Sequence, residues 1–281
     1  MHYIQPRNIK ETLTLMKKQR GRVTFVAGGT NVIPDMRAKV LRPDVLIDLS
    51  HLNSLSYVKK DKKRIRIGGL TTISALASSQ VIQKYASILS EAANQLGNPL
   101  VRNRGTIAGN LADASPAADT AVPLLALEAM VVTEGDTGKR RQIPIDQFFT
   151  GPNQTILRKG EIIKEVFFPK PNSDSKMGYL KLGLRNSMAI SVVSLTVLVD
   201  MERDKCKKVR IGLGAVAPKP IRAYGVEAKL TGQKITEELI EACGEKVMKE
   251  ISPISDIRAS AEYRREMTSV LLRRLIAQVT S

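Results

Sequence analysis

The chain has 281 residues, 43% of them hydrophobic and 25% charged, proportions that exclude wholesale disorder. That length buries a substantial core and more readily builds two or three compact units than one. The net charge of +17 calls for an account, with nucleic acid, an anionic ligand and acidic partner subunits as the candidates.

Residues 8–20, NIKETLTLMKKQR, carry Ile9, Leu13 and Met16 at helical spacing, with Asn8 and Glu11 as an approximate capping box and Gly21 as a stop. RVTFVAGG reads as a buried strand entering a turn, NVIPDMRAKV as a short helix and DVLIDLS as a second strand. These make a small α/β unit over residues 1–55, with His2 in a frayed terminus. A second unit, 56–170, opens with two alternating strands in LSYVKKDKKRIRIGGL, turning at Asp61 and Lys62. Helices follow in TTISALASSQVIQKY and SILSEAANQL, the latter stopped by Gly97. After a turn-rich stretch at 104–120 come an apolar helix, AVPLLALEA, and a hairpin in MVVTEGDTGKRRQIPI with its turn at Gly135–Gly138. EIIKEVFFP closes the unit as a strand, and FPKPNSDSKMG, residues 168–178, reads as a linker. The third unit, 177–281, holds YLKLGL, SVVSLTVLVDM and KVRIGLGAVA as strands of one antiparallel sheet. Two amphipathic helices complete it, in TEELIEACGEKVMKEI and RASAEYRREMTSVLLRRLIAQV.

No apolar run reaches the roughly 20 residues that a membrane span needs. AVPLLALEAMVV is interrupted by Pro123 and Glu128, and MHYIQPRNIKE lacks the apolar stretch of a secretory signal. A cytoplasmic protein is expected. Cys206 and Cys243, the only cysteines, cannot by themselves hold an iron–sulfur cluster or a structural zinc. With only His2 and His51 to help, no metal site is expected, and both cysteines read as packing residues. The basic clusters at 59–66, 138–141 and 205–210 flank hairpin turns, so lysine protection of sheet edges is one account of the charge. Acidic partner subunits are another. Nucleic acid is not expected, because single-strand binders interleave charge with stacking aromatics, and here aromatics are 4% with no Trp.

Two glycine stretches carry the chemistry. In VAGGTNV a strand delivers the chain to Gly28 and Gly29, where backbone can approach a ligand with no Cβ in the way. The amides of Gly29, Thr30 and Asn31 would form an anion-holding nest; a tight strand-to-helix turn without a ligand explains the same residues. In RGTIAGNLADASPAADT, Gly105 and Gly109 bracket a short apolar step, so backbone would face whatever lies beside it. Asp119 there suits a ribose or ribityl hydroxyl, and equally the N-cap of the helix beginning near Ala121. GLGAVA, 212–217, formally fits a dinucleotide fingerprint, but Pro218 and Pro220 forbid the helix that such a site needs.

Together AGGTNVIPDMR, RNRGTIAGNLADASPAADTAVPLLALEA and the tail DIRASAEYRREMTSVLLRRL resemble the flavin-binding subunit of the molybdenum hydroxylases over nearly the whole chain. That group includes xanthine dehydrogenase, aerobic carbon monoxide dehydrogenase and related aldehyde dehydrogenases. The resemblance implies an α+β chain: a two-part FAD-binding region of the vanillyl-alcohol-oxidase (PCMH) type plus a C-terminal domain of antiparallel sheet with helices. It implies FAD extended between the first two units, its pyrophosphate held by both glycine stretches. The first wall would be Phe25, Val26, Ala27, Gly28, Gly29, Thr30, Asn31 and Val32; the second Thr106, Ile107, Ala108, Gly109 and Asn110. Leu96 and Ile163 fall where the family places apolar contacts to the flavin nucleotide, Asp119 where it binds a cofactor hydroxyl, and Lys181 at a basic position near the flavin.

Two positions depart from the family pattern: Ala108 stands where a glycine is common, and Asp113 where Asn is common and receives no role. The implied function is electron transfer, from [2Fe-2S] clusters of a small partner subunit through FAD to an external acceptor. A molybdopterin-binding large subunit would oxidise the substrate, in a dimer of heterotrimers. No nucleophile–base pair or catalytic acid is apparent, so no catalytic residue is assigned. The rival reading is a stand-alone FAD-dependent oxidase or dehydrogenase with its own substrate pocket; a nucleotide- or RNA-binding module has only the charge in its favour.

Overall fold

The computed structural model describes residues 1–135 and 138–280. Asp136 and Thr137, inside the turn expected at Gly135–Gly138, lie outside the described residues, as does Ser281.

The chain opens with β1 (His2–Ile4), α1 (Ile9–Lys18), β2 (Val23–Val26), α2 (Val32–Arg37) and β3 (Val45–Asp48), whose strands form a parallel sheet in the order β1-β3-β2. His2 is not frayed. It pairs with Val45, and its amide donates to the Asp44 carbonyl at 2.8 Å, so the ladder satisfies backbone groups that a loose end would leave to water. Asn8 Oδ1 accepts from the Glu11 amide, while the Glu11 carboxylate accepts from the amide of Arg7, one residue ahead of the usual box. Leu13, Val45, Ile47 and Leu49 close a small core beneath this sheet.

The next segment runs through β4 (Val58–Lys60), β5 (Arg64–Gly68), α3 (Ile73–Ser78), α4 (Gln80–Tyr85), α5 (Ser87–Gln95), α6 (Pro99–Arg104), α7 (Ile107–Asp113) and α8 (Ala121–Ala126). It continues with β6 (Met130–Glu134), β7 (Arg140–Pro144), α9 (Ile145–Phe148), β8 (Phe149–Gly151), β9 (Gln154–Thr155) and β10 (Ile162–Pro169). Its main sheet is antiparallel, in the order β4-β5-β10-β6-β7. The helix expected over 71–85 is cut at Ser79, whose extended backbone ends α3 and whose Oγ caps α4. The stretch expected to be turn-rich, 104–120, carries a helix over Ile107–Asp113 and turns over 114–120. Asn98 caps α6 and Thr106 caps α7, each accepting from an amide three residues on, and only Gly105 and the cap Thr106 separate the two helices. Strong caps and the helix formers of IAGNLAD outweigh the small, polar composition.

The third sheet, β11 (Lys176–Leu182), β12 (Val193–Glu202), β13 (Lys205–Gly214) and β14 (Ile221–Arg222), is antiparallel in that order. It is followed by α10 (Tyr224–Leu230), α11 (Glu237–Met248) and α12 (Ala261–Thr280). The linker expected over 168–178 shrinks to residues 170–175, because Pro169 still faces Arg64 in the ladder and β11 begins at Lys176. α12 lies on β11 and β12, where Gly178 makes the room: a Cβ there would stand 2.6 Å from Leu275 Cδ1. β13 continues through Gly214 and no helix begins before Tyr224, so GLGAVA is a strand end. Tyr179 and Leu198 join the core of the second segment, packing the third sheet against it.

Candidate cofactor-binding site

The cleft lies between the first two sheets, with a volume of about 390 Å³, inside the roughly 300–1,000 Å³ range of ligand pockets. Phe25 and Ala27 to Val32 line one side; Leu96, Thr106 and Ala108 to Asn110 line another, and Ile163 closes it from β10. Thirteen of the seventeen residues expected from the sequence therefore meet in one cavity. Val26, Ile107, Asp119 and Lys181 do not line it. Val26 and Ile107 are buried in the cores behind the two walls.

Gly28 is the joint between the walls. A Cβ on it would stand 1.9 Å from the Arg104 carbonyl oxygen and 2.9 Å from the Gly105 nitrogen. Only a residue without a side chain lets the first loop rest on the α6–α7 junction. Gly29 follows in the left-handed conformation at φ +72°. The turn leaves the amides of Gly29, Thr30 and Asn31 without an acceptor among the described residues. Consecutive unspent amides beside a left-handed residue suit the oxygens of a diphosphate.

The second wall works differently. The amides of Ile107, Ala108, Gly109 and Asn110 are spent on Thr71 O, Gly69 O, Thr106 Oγ1 and Thr106 O, so α7 offers surface rather than free donors. Gly109 is exposed to the cleft, and an added Cβ there would meet only Thr106 Oγ1, at 3.0 Å. Ala108 is not among the residues with positive φ, so its methyl costs no backbone strain. Asn110 Oδ1 accepts from Thr120 Oγ1 at 2.6 Å, which leaves its amide nitrogen as the donor toward the cleft.

Asp119 and Lys181 meet each other instead. Lys181 Nζ donates to Asp119 Oδ2 at 2.7 Å and to the Gln95 carbonyl at 3.1 Å. Ser191 Oγ and Tyr179 Oη complete the carboxylate's partners. Burial pushes the Asp119 carboxyl upward, against Lys181, Ser191 and Tyr179, and pushes the Tyr179 phenol well above its ordinary range. This cluster sits behind Leu96, one residue after Gln95, and ties β11 to the helices framing the cleft. Asp119 does not cap α8; Thr120 holds the N-cap position and makes no side-chain cap bond.

Sequence reasoning missed several lining residues: Leu49, Leu55, Leu70, Val101, Leu157 and Ile162 among the apolar ones, with Asp113 and Glu161. Most are single side chains at the ends of strands and loops, and no local pattern marks them. Glu161 is pushed up by burial, but the paired Arg141 guanidinium, at 2.6 Å, and the Arg158 amide hold it low and ionised. Among the described residues no group of His, Cys, Asp and Glu could hold a metal, and no helix is long and apolar enough to cross a membrane.

The unspent amides, the joint at Gly28 and the otherwise largely apolar lining of the cleft fit a dinucleotide. Two family models account for most of the chain. Residues 1–171 match the FAD binding domain in molybdopterin dehydrogenase, and 178–279 match the CO dehydrogenase flavoprotein C-terminal domain. The glyceraldehyde dehydrogenase medium chain of Sulfolobus acidocaldarius is 31% identical over 99% of this chain and 97% of its own. The carbon monoxide dehydrogenase medium chain of Hydrogenophaga pseudoflava is 30% identical over 98% and 95%. A solved structure of the carbon monoxide dehydrogenase of that organism superposes with a TM-score of 0.95 at 29% identity, covering 99% of this chain and 96% of the other. The chain therefore belongs to the FAD-binding medium subunits of the molybdenum hydroxylases, and FAD is its cofactor.

Proposed function

We propose that the protein relays electrons from [2Fe-2S] clusters of a small partner subunit, through FAD, to an external acceptor, while a molybdopterin-binding large subunit oxidises the substrate. The observation that carries this reading is the single cleft shared by both glycine stretches, with unspent amides on one wall. FAD, when bound, takes up electrons singly or in pairs and so couples one-electron donors to varied acceptors. This chain's own residues bind and orient. The amides of Gly29, Thr30 and Asn31 hold the diphosphate, Asn110 donates from the opposite wall, and Phe25, Leu96 and Ile163 exclude water along the apolar lining. Asp119 and Lys181 act behind the cleft, fixing the third sheet against Leu96. We read the chain as three units, 1–55, 56–170 and 177–281, since each carries its own sheet, and the complex as a dimer of heterotrimers. A cytoplasmic location fits the two free, buried thiols, whose pKa burial raises to about 11.

The test is a visible spectrum of the purified chain, followed by addition of the complex's reducing substrate with and without the partner subunits. A flavin spectrum that bleaches only with the partners present is expected. Bleaching of the isolated chain would instead establish the stand-alone oxidase, and a colourless chain that takes up no FAD would end the flavin reading.

A further inference from the structure

A strongly basic patch lies outside the cofactor cleft. On the β4–β5 hairpin, Lys59, Lys60, Lys62, Lys63 and Arg64 stand against one carboxylate, Asp61. An oxygen of that carboxylate already accepts from the amides of Lys63 and Arg64, both at 2.8 Å. Beside the hairpin, the ammonium groups of Lys60, Lys84 and Lys170 lie 5.1, 5.6 and 5.5 Å from the centroid of a single ring, Tyr85. Lys60 Nζ also donates to Tyr85 Oη at 3.3 Å, and this bond, ahead of the neighbouring charges, lowers the phenol's pKa.

The three lysines come from β4, α4 and the linker after β10, and among the described residues none of them makes an ion pair. Protection of the edge strand β4 accounts for Lys59 and Lys60, but not for Lys84 on α4 or Lys170 after β10. One ring offsets part of the mutual repulsion; an external anion would offset the rest. Lys170 also borders a second, polar cleft of about 290 Å³, but there Lys208 and Arg210 are already paired with Glu128 and Asp200, so that cleft adds no free positive charge.

We propose that this surface, from the β4–β5 hairpin across the Tyr85 cluster to Lys170, docks an extended acidic segment of another subunit of the same complex. The proposal rests on the multisubunit reading above. A lipid surface is disfavoured because membrane-binding faces insert exposed apolar side chains, and the large exposed apolar residues, such as Leu184 and Ile257, lie on other segments. A nucleic acid strand is disfavoured because it needs a row of stacking rings rather than one.

The test compares amine acylation of the intact complex with that of the free chain, reading Lys60, Lys84 and Lys170 by peptide mass spectrometry against Lys17 and Lys249 as controls. Protection of the three lysines alone is expected. In parallel, a K60E/K84E/K170E variant should associate roughly tenfold more weakly, equivalent to about 1.4 kcal/mol, and keep its FAD. Equal acylation in both states, or unchanged association of an FAD-loaded variant, would overturn the docking surface while leaving the function intact. Three lysines still reactive in the complex, with retention of the complex on anionic vesicles or heparin, would reassign the patch to lipid or nucleic acid. If the wild-type chain forms no complex at all, the multisubunit reading falls, and this proposal with it.

Discussion

Gly28 and Gly109 separate two demands that glycine meets. At Gly28 an alanine methyl would overlap a backbone carbonyl, 1.9 Å from Arg104 O, which no rotamer change relieves. Gly28→Ala should therefore part the two walls, weakening FAD binding by ~10-fold or more and costing about 1–3 kcal/mol of stability. At Gly109 the methyl meets only Thr106 Oγ1, and the residue faces the cleft. Gly109→Ala should leave the apo melting temperature within about 2 °C while FAD affinity drops. Apo denaturation and FAD titration of both variants check the pair; equal loss of stability in the two would refute the distinction. This part of the site was legible in the sequence, because close backbone approach and left-handed turns leave glycine as their mark. Asp119 and Lys181 were legible only as residue types. Nothing local shows that a carboxylate and an ammonium, 62 positions apart, will spend their charge on each other.

At the scale of elements, alternation made the strands readable, whereas α6, a single short turn-and-a-half of PLVRNR, and α7, built of small residues, were hidden because their helicity depends on the caps Asn98 and Thr106. The attachment of α12 was hidden too, since it hangs on a buried arginine that reads as an ordinary surface charge. Arg264, with its side chain 3% exposed, donates to Val192 O at 2.7 Å, Ala215 O at 3.0 Å and Asp256 Oδ1 at 2.9 Å. It thereby fastens the start of α12 to the third sheet and to the preceding loop. Arg264→Ala should cost about 3–5 kcal/mol in urea unfolding, and Arg264→Lys should recover less than half, because one ammonium cannot replace a planar fork. The partner carboxylate adds a pH dependence. Burial pushes Asp256 up, but the Arg258 amide and the Arg264 guanidinium outweigh it and hold the group at about 2. A depressed folded-state pKa contributes stability above the ordinary carboxylate value of about 3.9, and that contribution fades as the pH falls through about 2. Asp256→Asn should flatten the acid limb between pH 4 and 2, as read by melting temperature against pH.

For the whole molecule, the question is what holds the third sheet against the cleft. The second and third cores touch through Tyr179 and Leu198, and the most buried ion pair at the same boundary is Asp119–Lys181, with side chains 10% and 5% exposed, beside the more open pairs that Glu128 makes with Lys208 and Arg222. If Lys181 served only as a contact to the flavin, removing it would leave the apo chain as stable as before. The pairing argues otherwise. Lys181→Met strands a buried carboxylate, and Asp119→Asn strands a buried ammonium, so each single change should cost the FAD-free chain about 3–5 kcal/mol. The double variant removes both charges together and leaves no uncompensated ion, so its cost should fall short of the sum by on the order of 1–3 kcal/mol. Denaturant unfolding of the four FAD-free proteins closes this cycle. Additive costs would mean that the two charges act separately and that the apolar packing and the Glu128 ion pairs hold the sheet without them. A shortfall, accompanied by weaker FAD binding in both single variants, would mean that a join behind Leu96 sets the shape of a cleft that neither residue lines.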